Sequence, residues 1–528
     1  MKRFDATYRL ASSGSLALML LVARPAQAQV VASPPAQGAV TSQLPLSGES
    51  PQGGAVIVGQ APVAGTTTSV NTLNVTTQTL GPFSGSVNGS ARRPLSGALG
   101  IADAIDRGLD FNLGAEGIAQ AIRQAQGQAT IARSELLPHI GATASETRLQ
   151  INLAVFGLQA NAFGGVPIPA VVGPYNYFDV RARVTQTILD LTAWRNYQSA
   201  EEIVRADEHV MNDARNVVVL AVGASYLQVS AAKERVTAEQ AQLDTATALF
   251  QQASQQHDVG VLAQTDVNRS RIQMLTERQR LETLRNDLAK QKISLARLIG
   301  LPADDHFDVS DVVGFSSASA IDVSAALKTA LGQREDLKAN DAQLRAARLT
   351  RMAARAERLP TLSVNGDYGV NGTSTDEAHR TFSATALVSV PLWLGGRTGG
   401  SVQVADAALR QRAAERENAM SRVEAEVRGA VLDMQAAGSQ VAVADDNLKV
   451  AKENLELSRQ KLQAGVSDNV ELVQAQEAVA TAQLDVINSV LAHNVAKLAF
   501  ARALGEAASN WRTYLKIPYS RSSGSHSP

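Results

Sequence analysis

Two periodicities divide this chain. Apolar residues take every second position in Phe178-Asp179-Val180-Arg181-Ala182-Arg183-Val184-Thr185, in residues 362–370 and, with one break at Leu387, in residues 382–390. A period of two predicts β-strands with one apolar and one wet face. Ile140 to Phe156 is a fourth strand by the same pattern, with an alternation that changes phase midway. Elsewhere the apolar spacing is 3 and 4. Leu448, Ala451, Leu455, Ser458 and Leu462 follow it, and so do Leu243, Ala246, Phe250 and Ala253, 205 residues earlier. That 3.5-residue period predicts helices that pack as a left-handed coiled coil. Helices over about 196–257 and about 400–462 would be rods of roughly 90 Å, at ~1.5 Å per residue.

The register shared by the two seams is part of a longer repetition. Gly260-Val261-Leu262-Ala263-Gln264-Thr265-Asp266-Val267 returns as Gly465-Val466-Ser467-Asp468-Asn469-Val470-Glu471-Leu472, and Ala296-Arg297-Leu298-Ile299-Gly300 returns as Ala501-Arg502-Ala503-Leu504-Gly505, each 205 residues later. Upstream, Arg133-Ser134-Glu135-Leu136-Leu137-Pro138 returns 222 residues later as Arg355-Ala356-Glu357-Arg358-Leu359-Pro360. A period this long is a duplicated unit of domain size, not a short solenoid repeat. The 17-residue change of offset places extra residues in the first copy, in a loop over about 157–176. Each copy reads in the same order. A first helix (about 101–136 and 322–358) stops at Leu-Pro, because the residue before proline resists the helical region. A strand hairpin follows (about 140–189 and 361–392, the second joined by the polar loop 371–380). Then come the long helix, a Gly turn at Gly260 or Gly465, and a return helix (about 264–299 and 469–504). The units are 1–28, a signal peptide; 29–96, a flexible low-complexity segment; 97–301, the first repeat; 302–320, a polar linker; 321–506, the second repeat; and 507–528, a tail.

Composition narrows the function. Lys2 and Arg3, the short apolar run 16–23 and the small-x-small site Ala26-Gln27-Ala28 have the layout of a secretory signal peptide cut after Ala28. No later run reads as a transmembrane helix, so membrane entry requires a closed β-barrel. The chain has no cysteine and a formal charge of −1. This excludes disulfides, thiolate metal sites and a lipid on an N-terminal cysteine, and it gives no pull toward nucleic acid. The histidines (His139, His209, His257, His306, His379, His493, His526) are scattered without metal-ligand spacing, and no phosphate loop or nucleophile elbow is present. The expectation is no enzyme, no cofactor and no metal site.

Four strands cannot close a barrel, for which about eight are needed. Strands and seams both require further copies of the chain, arranged by rotation around one pore. The wet strand face, with Asp179, Arg181, Arg183 and Asp367, would line an aqueous lumen. Trp194 and Trp393, each just after the second strand of its hairpin, suit an aromatic girdle at the membrane interface.

With its duplicated helix–hairpin–helix order, the Leu-Pro before each hairpin, Val390-Pro391-Leu392-Trp393-Leu394-Gly395-Gly396-Arg397 and the paired Gly turns, the chain resembles the TolC-like outer membrane efflux family over about 99–506. The resemblance implies a mainly α fold with a membrane β-barrel. Three copies would form a twelve-stranded barrel in outer membrane lipid and a twelve-helix tunnel through the periplasm. The partners would be a periplasmic adaptor and an inner-membrane pump, in efflux or type I secretion, and the cargo drugs, metal ions, other small molecules or proteins. In the family pattern, acids after the second Gly turn narrow the periplasmic tip; here the matching positions are Glu471 and the neutral Gln474, with Asp468 beside them. Asp266 matches an acid that latches neighbouring helices, whereas the partners in that pattern fall on Leu462 and Ser467. Gly260, Val261, Gly465 and Val466, at the exposed ends of the rods, would meet the adaptor. The alternative is a periplasmic adaptor or secreted coiled-coil scaffold without a pore, which needs no outward apolar strand face and no detergent.

Overall fold

The computed structural model describes residues 55–63, 69, 72–88, 95, 97–156, 169–304, 307–311, 313–316, 321–464, 466 and 469–517. The signal-peptide segment 1–28 lies outside them. In chain order these residues form β1 (Ala55–Val63), β2 (Thr72–Leu80), α1 (Ile101–Phe111), α2 (Leu113–Ser134), β3 (His139–Asn152), β4 (Val171–Leu189), α3 (Leu191–Asp258) and α4 (Gln264–Leu298). The second copy repeats the order as α5 (Val323–Gln333), α6 (Glu335–Ala356), β5 (Thr361–Gly372), β6 (His379–Ser389), α7 (Arg397–Gln463) and α8 (Asn469–Leu504), followed by α9 (Ala507–Leu515).

The two long helices have 68 and 67 residues, about 100 Å at the usual rise. Their seams are where the 3–4 spacing placed them. Ala246, Ala253, Ala451 and Ser458 are buried, while most positions flanking them are exposed. α3 packs along α4, and α7 along α8. Within α3, one stretch is long and apolar enough to cross a bilayer, against the sequence expectation, but 83% of it is buried inside the fold. It is the core helix of the midsection, where Val218, Val219, Val222, Tyr226 and Val229 meet α1, α4 and α8.

Four departures from the sequence reading share one cause, which is docking onto that midsection. Each copy's first helix, expected as one piece, is broken into two. Asn112 (φ −64°, ψ 131°) and Arg334 (φ −61°, ψ 121°) are the break points, and they stand at the 222-residue offset. At the first, Asn112 Oδ1 accepts from the Gly114 amide at 2.9 Å while its Nδ2 donates to the Phe83 carbonyl at 3.0 Å. At the second, the buried Arg334 is held by Asp336 and Glu426. At Asn112 the break has a local signal, an N-capping side chain, to which the Phe83 carbonyl adds a tertiary one. At Arg334 no side chain caps α6, and the break rests on Asp336 and on Glu426 of α7. Second, the stretch 29–96, read as flexible, contains the antiparallel β1–β2 hairpin, whose Val56, Val58 and Val75 pack on the core. Third, the linker 302–320 buries Phe307 and Val309. It is tied to the first repeat where the Leu99 amide donates to the Asp308 carbonyl at 2.7 Å and where the Asp311 amide donates to Tyr226 Oη at 3.1 Å. Fourth, the tail 507–528 begins as α9, with Ala507, Trp511 and Leu515 buried at four-residue spacing.

The other strands form one antiparallel sheet in the order β3-β4-β5-β6. The register shifts between Leu149 and Ile151, where β4 places two residues, Gly173 and Pro174, against the single Gln150 of β3. This bulge lies on β4, opposite the point where the alternation in 140–156 changes phase. β3 stops at Asn152 and not at Phe156, and β4 starts at Val171, inside the segment expected as loop. The second hairpin likewise pairs as far as Asn371 and His379, shortening the loop expected at 371–380.

Candidate functional site

The sheet has two unlike faces. On one, Arg181 lies opposite Gly369 and Arg183 opposite Asp367 by register. Arg181 nonetheless makes the ion pairs. Its Nε stands 2.9 Å from Asp179 and its Nη1 3.1 Å from Asp367, and Ser383 Oγ donates to Asp367 at 2.6 Å. Gly369 permits this crossing, since a Cβ there would sit 2.4 Å from the Arg181 Cβ and 2.4 Å from the Val180 carbonyl oxygen. Arg183 is exposed and has no ion pair among the described residues. Alternation thus grouped Asp179, Arg181, Arg183 and Asp367 on one face, and the structure brings three of them into contact. Ser383 and Gly369 were missed; the only sequence signal was their place on the same wet face.

The other face is apolar and bare. Ile140 stands opposite Val184 and Tyr368 opposite Phe382; all four are exposed, Phe382 to 79%. β3 and β6, at the two ends of the sheet, pair with no further strand among the described residues. Below the sheet, Asp190 caps α3 by accepting from the amides of Thr192 and Ala193. This fixes Trp194 in the first turn, half exposed and 6.0 Å from the Tyr197 ring. Trp393 is 86% exposed and follows the equally bare Leu392.

At the far end of the rods the two turns are built alike. The Val261 amide donates to the Gln256 carbonyl at 2.8 Å and the Val466 amide to the Lys461 carbonyl at 3.0 Å, the 6→1 bond of a helix that ends at a glycine. Gly260 takes φ +82°, a value that L side chains resist. Val259, Val261 and Val466 are each about three-quarters exposed. Gly465, Ser467 and Asp468 lie outside the described residues. Asp266, in the first turn of α4, pairs with Arg269 of its own helix at 3.1 Å. Glu471, in the first turn of α8, pairs across the turn with Lys461 Nζ at 2.7 Å, and Gln474 is exposed. Lys461 was missed; a base in the last turn of one helix and an acid in the first turn of the next was the available signal.

Both rods carry a second, unpartnered stripe. On α7, Leu432, Val443, Val450 and Leu457 are exposed, the last three seven residues apart. On α4, Ile272 and Leu275 line an open groove of about 530 Å³. Among the described residues no cluster of acids and histidines could hold a metal ion.

The family model described as "Outer membrane efflux protein" matches residues 117–301 and 326–506. The pyoverdine export outer membrane protein OpmQ of Pseudomonas aeruginosa is 24% identical over 389 residues, covering 73% of this chain and 80% of that protein. The outer membrane protein TolC of Escherichia coli is 23% identical over 390 residues, covering 71% and 76%. Among solved structures, the Campylobacter jejuni CmeC outer membrane channel shares the fold with a TM-score of 0.68 at 17% identity, over 79% of this chain and 89% of that one.

Proposed function

Because this chain belongs to the outer membrane efflux protein family, and is thereby an outer membrane protein, we propose that three copies of it form a duct carrying cargo from a periplasmic adaptor and inner-membrane pump to the outside. One observation carries the reading: a four-stranded sheet with two open edges, one charged face and one bare apolar face. An open edge is not tolerated in lipid, and an apolar sheet face is not left to water. Four strands from each of three chains make a twelve-stranded barrel with the apolar face toward lipid and Asp179, Arg181, Arg183 and Asp367 toward the lumen. β5 and β6 have 12 and 11 residues, enough for a tilted crossing. Trp194 and Trp393 sit at the barrel's periplasmic rim, where an indole is stable between headgroups and water.

The four long helices of each chain, α3, α4, α7 and α8, would give a tunnel of twelve. The bare stripes on α7 and α4 support it, because apolar heptad stripes need neighbours. Glu471 lies at the narrow end, where a ring of three acids would favour cations, with Lys461 offsetting part of that charge. The valine-tipped turns at Val261 and Val466 would dock the adaptor. The pump sets the cargo, since the duct offers only water, charge rings and width.

The test is assembly. Extracted in detergent from the outer membrane fraction, the protein should have a native mass of three chains and conduct ions in planar bilayers. A monomer that stays in solution without detergent sinks the proposal.

A further inference from the structure

The α3–α4 seam contains two acids. Counting back from Leu243 by the seam's spacing gives Glu239, and Glu277 stands on the facing side of α4. They are 2% and 3% exposed. The two carboxyls lie within hydrogen-bonding reach of one another. Glu277 has the partners of a charged group, with Gln273 Nε2 donating at 2.5 Å and Arg280 Nη1 at 3.2 Å. Glu239 is the opposite case. Its Oε1 is buried without a partner, and the charges bearing on it are those of Glu277 and Arg280. One turn earlier on α3, Arg235 is turned away to Asn488 of α8, with bonds of 3.1 and 2.6 Å, and its charge neighbour on α4 is Asp287.

Two carboxylates this close cannot both be charged out of water without strong repulsion and desolvation. The arrangement is satisfied when Glu239 holds a proton and donates it to the Glu277 carboxylate. The second repeat supplies the comparison. At the positions 205 residues on stand Ala444 and Ala482, both 0% exposed. The same seam closes there on methyl groups.

We infer that Glu239 and Glu277 form a proton-operated latch confined to the first-repeat rod. With the proton bound, α3 and α4 zip through a carboxyl–carboxylate bond. Without it, two buried anions face each other and the seam opens locally, while the α7–α8 seam does not respond. Burial first, then the hydrogen bond and charge of Glu277, raise the Glu239 carboxyl to about 8, with Arg280 acting against them. The zipped state therefore binds a proton that the opened state, near the ordinary 4.5, releases. Closure is fully favoured below about 4.5, weakens as pH rises to about 8, and is flat above that. The pair lies inside one chain, so the inference does not rest on the trimer.

Hydrogen exchange on the full-length protein in detergent, corrected for intrinsic rates, tests it across pH 5 to 8.5. Amides of α3 around Glu239 and of α4 around Glu277 should show local opening that grows by up to about tenfold per pH unit. Amides around Ala444 and Ala482 should show none. In Glu239→Gln the amide donates to Glu277 at every pH, so the slope should vanish with opening held at its acid level. The Glu239→Ala, Glu277→Ala pair, a copy of the second repeat, should also be flat. A slope that persists in Glu239→Gln, a flat wild type, or the same slope in both rods would overturn the latch.

Discussion

Arg334 gives the sharpest stability test. It sits at the break between α5 and α6 and is 1% exposed. Its guanidinium meets Asp336 twice, Nε to Oδ1 at 2.9 Å and Nη2 to Oδ2 at 2.7 Å, and also bonds Glu426 of α7. Burial opposes the charge, but Asp336 and Glu426 more than offset it and hold the guanidinium above its ordinary value. Arg334→Ala leaves Asp336, 14% exposed, with bonds from the Leu337 amide at 3.0 Å and from Arg422 at 3.5 Å among the described residues, and with the charge of Arg502 acting on it from further off. Breaking a buried pair from one side costs about 3–5 kcal/mol. Glu426 is 42% exposed and rehydrates, so the low end applies, about 3 kcal/mol. With an unfolding entropy near 2.1 cal/mol/K per residue, a cooperative unit of about 400 residues would lose about 3–4 °C in Tm. Differential scanning fluorimetry in detergent reads this directly. Arg334→Met combined with Asp336→Leu removes both charges and should recover most of the loss. A single variant that melts with the wild type, or a double variant no better than the single, refutes the argument that the break is held by this pair.

Charge at the tip should be adjustable in both directions. Glu471→Gln lowers, and Lys461→Gln raises, the cation selectivity read as the reversal potential in a salt gradient. Because the exposed pair is worth only about 0.2–1 kcal/mol, neither change should affect folding, and two unchanged potentials would remove Glu471 from the neck. Gly369→Ala drives a methyl to 2.4 Å from backbone and Arg181 atoms. At the usual overpacking cost of about 1–3 kcal/mol it should reduce the yield of assembled trimer, and normal yield would count against the Arg181 crossing. Lys497 of α8 is 3% exposed, lies 2.6 Å from the Ser316 carbonyl, and is lowered from 10.5 to about 8, chiefly by burial and then by Lys516. Between those values the unfolded chain binds the extra proton, so Tm should rise with pH from about 8 to about 10.5. That slope should be absent in Lys497→Met, and its survival there would assign it elsewhere.

The sequence by itself determined the alternating strands, the seams on the rods, the two Gly turns and the duplication, because each is a local pattern. Period two and period 3.5 are written by sterics and hydrogen bonds within a few residues, and the copies write them twice. The face shared by Asp179, Arg181, Arg183 and Asp367 follows from alternation alone. Tertiary structure decided what those patterns touch. At Asn112 an N-capping side chain marks the break locally and a carbonyl from Phe83 secures it; at Arg334 no side chain caps the next helix, and a carboxylate from Glu426 holds the break. The β1–β2 hairpin and the segment through Phe307 and Val309 are ordered because α3, α1 and α8 offer them an apolar surface, which low-complexity residues do not announce. Arg181 passes over Gly369 to Asp367 because the strand register leaves a gap there. Glu239 lies on a seam legible in sequence, but only the packing of α3 on α4 sets another acid against it, and only that contact turns a buried carboxyl from a defect into a shared proton.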